Sequence, residues 1–480
     1  MFVGRVNEVK ELLRLTTLES SDLLMITGRR RVGKTYIINE VLKDYLVFKF
    51  TGTQYGSTEN QLEKFIQKLS EFNINYAQFK TPKNWSEAFI LLKQYILDLR
   101  KSKKKKVIFI DEFPWIDPPK SGFLQEFAYW WNDFAAAQNL LVVISGSATS
   151  WMIKKIIQNR GGLHNRVTRR IHLEPFSLAE AKAFLLTINK NLTDYDILQI
   201  YMCMGGIPLY LQQLNSGESA AQFIHRVCFT KSGLLHTEFE ELYASLFDNY
   251  HHHVSVIRTL AGKWSGMTIS EISKNTKISD GGGLHRILDD LELGAFLVKL
   301  PPLFNKKKGA VYRLADEYSR FYIHFIEGQK YGVINNWLSY QSSSDIYQSW
   351  QGYAFESICI KHAEAIKLCL GISGINANIG SYLHKGTEES DGIQIDMLID
   401  RADNVINLCE IKYYNKPTRV TSAFADKLRI RNATFCAITK TKKAVFNTLI
   451  TTFGTEKTDY ISSEIQSEVD MKCLFGQERL

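Results

Sequence analysis

The stretch Gly28–Thr35 constrains this chain more than any other part of its sequence. It fits the pattern GxxxxGK followed by Ser or Thr, and it lies between the apolar run Leu23–Thr27 and an amphipathic segment. In that setting the two glycines, Gly28 and Gly33, let backbone N–H groups turn around a phosphate, and the following helix adds positive potential at its N-terminus. We expect Lys34 to reach the outer phosphates and the Thr35 hydroxyl to bind Mg²⁺.

Three arginines, Arg29, Arg30 and Arg31, stand between the two glycines. They either strengthen the positive field around a phosphate, with Arg31 facing the ligand, or are ordinary exposed loop residues.

A second apolar run, Val107–Ile110, ends directly at Asp111 and Glu112. This order is typical of a buried strand whose carboxyl end delivers an Asp to the metal and a Glu that polarises water. The alternative is a purely structural acidic pair at a strand end. We therefore expect hydrolysis of the bound nucleotide, and the absence of a DxxG sequence here argues against a GTPase.

Four apolar runs in the first third alternate with amphipathic stretches: Leu23–Thr27, Tyr45–Phe50, Val107–Ile110 and Leu140–Ile144. This alternation is typical of a parallel α/β sheet. Ser147, just beyond the last run, is our candidate for sensing the terminal phosphate, and Ser145 is the alternative. The uncharged window 134–153 is long enough to span a bilayer, but its short apolar part predicts a buried strand instead.

These motifs resemble those of P-loop ATPases of the archaeal-ATPase family, in the STAND and AAA+ neighbourhood. Two further segments extend the resemblance. Phe2-Val-Gly4-Arg5 with Glu8 is similar to the N-terminal box that packs beside the adenine, and Gly205-Gly206-Ile207-Pro208 is similar to the GxP turn of the helical lid. The resemblance implies ATP as the ligand, with Gly4, Arg5 and Pro208 near it.

The segment His164-Asn-Arg166 resembles the place where related ATPases carry an arginine directed at a neighbouring site. Arg166 is therefore a candidate arginine finger, which implies a homo-oligomer. Arg160 is an alternative, and a plain surface arginine is the other reading.

Residues 250–320 predict three short helices and then two strands around the Lys-rich turn Asn305–Gly309, the outline of a winged helix-turn-helix. The would-be recognition helix, which opens at Asp280–Arg286, continues with Asp289, Asp290 and Glu292. These three acidic residues disfavour its insertion into a DNA groove. Lys306–Lys308 could contact phosphates with little base readout. The other reading is a domain that packs against its neighbours and relays the nucleotide state.

Two strands, Ile393–Asp400 and Val405–Lys412, are predicted to form a hairpin that carries acidic residues. With a short turn at 402–404, Asp396 lies opposite Glu410, and Lys412 shares the face of Glu410. Two carboxylates this close favour Mg²⁺ or Mn²⁺ between them, and Glu356 is a further candidate ligand. The alternative is a solvent-facing hairpin with cross-strand salt bridges.

This arrangement resembles the PD-(D/E)xK nuclease core, in which Glu410 and Lys412 would be catalytic. Here Ile395 stands where the family's name has Pro. The resemblance also implies a helix at 418–430 and a strand at 434–439. We expect an ATP-binding and ATP-hydrolysing protein whose nucleotide state controls a metal-dependent nuclease-like module acting on DNA or RNA. The alternative is an ATP-switched scaffold that binds nucleic acid or protein without cleavage.

The predicted fold class is therefore α/β and multidomain: a P-loop parallel-sheet ATPase, a helical lid, a winged helix and a C-terminal α/β nuclease-like domain. The expected boundaries are 1–176, 177–249, 250–334, a linker at 335–350, and 351–480.

Composition adds limits on the cellular setting. The net charge of +9 permits an acidic partner without demonstrating one. The 7 cysteines include no CxxC pair, which argues against a zinc ribbon and a disulfide framework and favours a reducing compartment. The charged first residues lack the apolar stretch of a signal peptide, so we expect a cytoplasmic protein that does not enter a membrane.

Overall fold

The computed structural model describes residues 2–99, 104–158, 161–247, 249–301, 303–304, 309–328, 337, 340, 344–384, 386, 392–456 and 463–476. The chain divides into two compact units, residues 1–175 and 176–480. The end of the first unit lies one residue from the boundary predicted at 176. The finer divisions predicted within the second unit remain predictions.

The first unit is built on a parallel five-stranded sheet, which confirms the α/β fold class. Its strands are β1 (Asp22–Thr27), β2 (Leu46–Thr51), β3 (Lys106–Asp111), β4 (Leu140–Gly146) and β5 (Arg169–His172). Their order across the sheet is β2-β3-β4-β1-β5. Strands β1, β3 and β4 are almost fully buried because they are central and covered on both faces, as their continuous apolar runs predict.

The described part of the first unit contains seven α-helices, of which the first precedes β1 and the others lie between strands: α1 (Val6–Thr17), α2 (Lys34–Val41), α3 (Thr58–Phe72), α4 (Trp85–Asp98), α5 (Phe113–Ile116), α6 (Phe123–Asp133) and α7 (Thr149–Met152). Helices α3, α4 and α6 supply an aromatic core beside the sheet, including Phe65, Trp85, Phe89, Phe123, Phe127 and Trp130. The window 134–153 contains β4, as expected, and no helix in the described ranges is long and apolar enough to cross a membrane.

The second unit opens with five helices: α8 (Leu178–Ile188), α9 (Asp194–Met204), α10 (Pro208–Leu211), α11 (Ala220–Phe229) and α12 (Leu234–Leu246). Capping boxes begin α8, α9 and α11 at Ser177, Thr193 and Ser219, where a hydroxyl and an acidic or amide side chain satisfy the first N–H groups. The helical character predicted for residues 177–249 is therefore present.

The next elements follow the predicted order of three helices and two strands. They are α13 (Tyr250–Ala261), α14 (Ile269–Thr276), α15 (Gly282–Leu293), β6 (Leu297–Leu300) and β7 (Val311–Leu314), with β6 antiparallel to β7. The acidic residues Asp289, Asp290 and Glu292 lie on α15. The predicted wing lysines Lys306–Lys308 lie outside the described residues.

A second five-stranded sheet follows helices α16 (Glu317–Phe321), α17 (Asp345–Lys361) and α18 (Ala363–Cys369). Its strands are β8 (Ala377–His384), β9 (Ile393–Arg401), β10 (Val405–Lys412), β12 (Ala444–Thr451) and β14 (Ser467–Asp470), in the order β14-β12-β10-β9-β8. The short strands β11 (Thr418–Arg419) and β13 (Thr455–Glu456) pair separately. The predicted hairpin is confirmed, because β9 and β10 are antiparallel.

Three expectations for the second unit are corrected. The helix after the hairpin is α19 (Ser422–Thr439), so residues 434–439 are helical and the next strand is β12. The reason is that Leu428, Arg431 and Phe435 are buried at helical spacing, which outweighs the strand propensity of the β-branched residues around them. The predicted linker 335–350 also runs into a helix, since α17 begins at Asp345 with Ser344 as its N-cap.

The third correction concerns the cysteines. Cys369 and Cys473 form a disulfide, although the sequence argued against such bonds. They are separated by 104 residues, and only the folded chain brings their Cα atoms to 6.0 Å. All seven cysteines lie in the described part of the chain, and the other five are free.

Candidate functional site

The phosphate loop connects the buried carboxyl end of β1 to the start of α2. Gly28 and Gly33 have φ angles of 138° and 94°, a region that favours glycine. A Cβ atom on Gly28 would lie 2.3 Å from the carbonyl oxygen of Leu173. Glycine is therefore required at Gly28 for both backbone conformation and space.

Lys34 begins α2 and is buried, with 5% of its surface exposed. Its ammonium donates to the carbonyls of Gly28 and Arg29 at 2.9 and 3.1 Å and to Ser147 Oγ at 2.8 Å. Burial lowers the pKa of Lys34 to about 8, against the opposing effect of the Glu112 and Asp111 carboxylates. A polyanionic ligand would favour the charged form of this lysine.

The Thr35 hydroxyl donates to Asp111 Oδ2 at 2.6 Å. Asp111 ends β3, and its other oxygen, Oδ1, accepts from Ser145 Oγ on the neighbouring strand β4. A threonine hydroxyl and a carboxylate in contact are hard oxygen donors of the kind that Mg²⁺ prefers, so these residues fit the predicted magnesium ion.

Glu112 follows Asp111 with φ 47° and ψ 48°, a left-handed conformation that is unusual for a residue with a side chain. Its carboxylate accepts from Ser147 Oγ at 3.0 Å and from Ser147 N at 3.3 Å. Ser147 therefore joins Glu112 to Lys34, whereas Ser145 contacts Asp111. The structure thus brings together Lys34, Thr35, Asp111, Glu112 and Ser147 at the carboxyl edge of the sheet.

The N-terminal box packs beneath the loop. Arg5, 5% exposed, donates to the carbonyl of Val32 at 3.3 Å, and the preceding Gly4 has a φ of 73°. The Phe2 ring stacks on that of Tyr36, with centroids 5.9 Å apart. Tyr36 was missed by the sequence reasoning, although its position directly after Thr35 places it beside the loop.

The three loop arginines do not behave alike. Arg29 is buried at 2% exposure, so it is not an ordinary exposed loop residue. Arg30 and Arg31 are half-buried, and Arg31 has a φ of 72°. Their orientation toward a phosphate stays a prediction.

Gln61 is a second residue that the sequence reasoning missed. Its side chain is fully buried on α3 and bonds the backbone of the loop after β2 and of α5: it accepts from Thr53 N and donates to the carbonyls of Thr53 and Trp115. Because Trp115 lies three residues after Glu112, Gln61 fixes the segment that carries the acidic residue. Only its place in an amphipathic helix marked it in the sequence.

Arg166 is exposed in a turn before β5 and lies within the first unit. Arg160, the alternative, lies outside the described residues.

Pro208 belongs to the second unit, where it starts α10. The preceding turn is constrained by Phe176, since a Cβ on Gly206 would lie 1.9 Å from the Phe176 carbonyl oxygen.

In the second unit, the register of β9 and β10 pairs Met397 with Cys409, which places Asp396 opposite Glu410 as predicted. Asp396 Oδ2 accepts from Ile411 N at 3.1 Å, and Lys412 Nζ lies 2.7 Å from Glu410 Oε1. The sequence did not identify Arg431 on α19, which forms a buried ion pair with Glu410 Oε2.

These charges act on one another. Burial raises the pKa of Asp396 to about 6, with further increases from Glu410 and Glu356. Burial also raises the pKa of Glu410, but Arg431 and Lys412 outweigh it and leave that pKa below its usual value. Glu410 therefore stays ionised at pH values at which Asp396, with a pKa of about 6, takes up a proton.

Two of the three carboxylates predicted to hold a metal, Glu356 and Glu410, are paired with cations. Glu356 on α17 accepts from Arg313 Nη2 at 2.8 Å, and both side chains are buried. Within the ranges that the structure describes, no group of three His, Cys, Asp or Glu side chains is placed to hold a metal ion. In this arrangement ion pairs hold Glu356 and Glu410. The metal-binding role of Glu356, Asp396 and Glu410 stays a prediction.

Comparisons with known proteins agree with the site in the first unit. Residues 2–214 match the family described as an ATPase domain predominantly from Archaea. A protein of Methanocaldococcus jannaschii is 23% identical over 392 residues, covering 81% of this chain and 83% of that protein. An ATP-binding protein of the same organism is 22% identical over 291 residues, covering 52% and 80%.

Among solved structures, a Walker-type ATPase of Pyrococcus abyssi is 18% identical with a TM-score of 0.49, covering 67% of this chain and 96% of that one. The ORC2 protein of Aeropyrum pernix, in its ADPNP and ADP complexes, is 14% identical with a TM-score of 0.43, covering 71% and 96%. The residues that carry the loop site lie within the range 2–214 that matches the ATPase domain family predominantly from Archaea.

Proposed function

We propose that the first unit binds ATP with Mg²⁺ and hydrolyses it. The observation that carries this proposal is the hydrogen-bonded set at the sheet edge, in which Thr35 contacts Asp111 and Ser147 joins Lys34 to Glu112. The family match of residues 2–214 supports it.

Each residue then has a distinct role. Lys34 and the loop N–H groups hold the phosphates, and Thr35 with Asp111 would hold Mg²⁺, which neutralises phosphate charge. Glu112 orients the attacking water and accepts its proton, and Ser147 positions that carboxylate. Gly4 and Arg5 support the phosphate loop. The choice of ATP over other nucleotides is inferred from the resemblance to archaeal ATPases.

The test is nucleotide binding and phosphate release by the purified full chain. Lys34→Ala should weaken ATP binding at least tenfold, and Glu112→Gln should bind ATP but lose turnover by about 10² to 10⁴. The exposed residues Lys10 and Glu63 give matched controls, Lys10→Ala and Glu63→Gln, which should behave like the wild type. Normal turnover in Glu112→Gln would remove that residue from its role.

For the second unit we propose that nucleotide state controls a nuclease-like module acting on DNA or RNA. The placement of Asp396, Glu410 and Lys412 at one end of the hairpin supports this. The ion pair between Glu410 and Arg431 favours the second candidate, an ATP-switched scaffold that binds nucleic acid or protein without cutting. Cleavage would require that this ion pair open.

These two candidates are separated by incubating the chain with ATP, Mg²⁺ or Mn²⁺, and single- and double-stranded DNA and RNA. Under the nuclease proposal, Lys412→Ala abolishes cleavage and the exposed control Lys416→Ala retains it. Lys34→Ala should change the cleavage rate, because the nucleotide state is proposed to control it. Absence of cleavage under every condition, with nucleic acid still bound, supports the scaffold.

A further inference from the structure

Two cysteines join distant parts of the second unit. Cys369 is the last residue of α18, and Cys473 lies in the short 3₁₀ segment Met471–Phe475. The loop that their disulfide closes contains every strand of the second sheet, from β8 to β14. The bond therefore ties the segment that leaves this sheet to the helix that enters it.

The two bonded cysteines are also accessible, unlike most of the others. Both are half-buried, whereas four of the free cysteines are fully buried: Cys203, Cys228, Cys359 and Cys409. Cys436 is half-buried and free, and no other cysteine is bonded to it. Accessibility to small thiols and a nearby partner thus coincide only at Cys369 and Cys473 among the seven.

The bonded segment is fastened by other contacts as well. Met471, Leu474 and Phe475 are buried, and the ammonium of Lys182 on α8 lies 5.2 Å from the centre of the Phe475 ring. Directly before this segment, β14 pairs with β12 at the edge of the described sheet. An edge strand with one partner opens more readily than a central strand, so its covalent anchor matters most there.

We propose that Cys369 and Cys473 form a reversible thiol switch that clamps the edge of the second sheet when oxidised. The oxidant is a small-molecule disulfide such as oxidised glutathione. The thiolate of one cysteine attacks a sulfur of that disulfide and releases one small thiol. The other cysteine then attacks the mixed disulfide, so that the protein disulfide forms, a second small thiol leaves, and the two cysteine protons end on the released thiols.

In the reduced chain the segment keeps its non-covalent contacts but loses the clamp. The unfolded chain then gains freedom because a loop of about 100 residues is no longer closed, and local opening of β14 becomes more frequent. The switch requires neither nucleotide nor nucleic acid, so it stands apart from the function proposed above.

The test uses the full chain equilibrated with oxidised glutathione or with dithiothreitol. Peptide mapping without reduction should find Cys369 linked to Cys473 only in the oxidised sample. Hydrogen exchange of residues 467–476 should be at least about fivefold faster after reduction, while β1 exchanges equally in both samples. The unfolding midpoint of the second unit should fall by about 5 to 10 °C on reduction.

Cys473→Ser and Cys369→Ser should each show the reduced behaviour under both conditions. The matched control Cys436→Ser, which changes the other half-buried cysteine, should switch like the wild type. Failure of oxidised glutathione to link the pair would overturn the proposal. A linked pair with unchanged exchange and unchanged unfolding midpoint would also overturn it.

Discussion

At the scale of single residues, burial makes Lys34 lose its proton at a lower pH than a free lysine does. Its pKa in the nucleotide-free chain is about 8, below the value of 10.5 for a free lysine. The unfolded chain therefore binds more protons than the folded chain between these values, and this residue's contribution to stability rises with pH from about 8 to 10.5. Below pH 8 the folded chain carries the full cost of a buried charge.

Phosphate binding should reverse that shift. At pH 9 we expect ATP binding to take up as much as about one proton, because the phosphates raise the pKa of Lys34 again. Calorimetry in buffers of different ionisation enthalpy measures this uptake. Lys34→Arg should bind with no such uptake, since arginine stays charged, and equal uptake in that variant would assign the proton to another group.

Arg431 on α19 carries a buried charge. Its ion pair with Glu410 is buried, whereas Arg429, two residues earlier on the same helix, is exposed. Arg431→Ala should lower the free energy of unfolding by about 3 to 5 kcal/mol, because it leaves the Glu410 carboxylate with fewer cations. Arg429→Ala should cost less than about 1 kcal/mol. Urea denaturation measures both, and similar losses would contradict a special role for Arg431.

At the scale of elements, α3 fixes the segment after Glu112 through Gln61. Gln61→Leu should lower stability by about 2 to 4 kcal/mol, because the backbone groups of Thr53 and Trp115 lose buried partners. Turnover should fall while ATP affinity changes little, since the loop that holds the phosphates is untouched. Gln67→Leu, on the exposed face of the same helix, is the control, and unchanged turnover in Gln61→Leu would show that α3 acts on stability alone.

Some of the helices and strands could be predicted from sequence patterns, and others could not. Strand β5 was not among the predicted apolar runs, because it has the sequence Arg-Arg-Ile-His. Strands β1 to β4 of the first unit follow the four apolar runs, and the phosphate loop follows a fixed spacing, so both were predictable. The helix α19 was not, because its boundaries depend on which face of residues 422–439 packs on the second sheet. The resemblance to the nuclease core implied a strand at 434–439, but these residues continue the helix, with Phe435 buried at helical spacing.

At the scale of the whole molecule, the proposed finger Arg166 requires a second copy of the chain. Arg166→Ala and Lys34→Ala should each hydrolyse ATP poorly by themselves. A mixture should regain part of the activity, because one copy supplies an intact loop and the other an intact arginine. Phosphate release against mixing ratio measures this recovery. Arg170→Ala, which changes another exposed arginine of the first unit, should stay active, and a mixture as inactive as its components would exclude a finger in trans.

The sequence alone determined the phosphate loop, the acidic strand end and the hairpin carrying Asp396 and Glu410, because each depends on residues that are close in sequence or on strands joined by one short turn. The tertiary structure determined which residues that are distant in sequence contact one another. Ser147 joins Lys34 to Glu112, Arg431 neutralises Glu410, and Cys473 reaches Cys369, across separations that spacing does not encode. The physical reason is that burial and charge pairing are properties of the packed chain, whereas periodicity and turn chemistry are local.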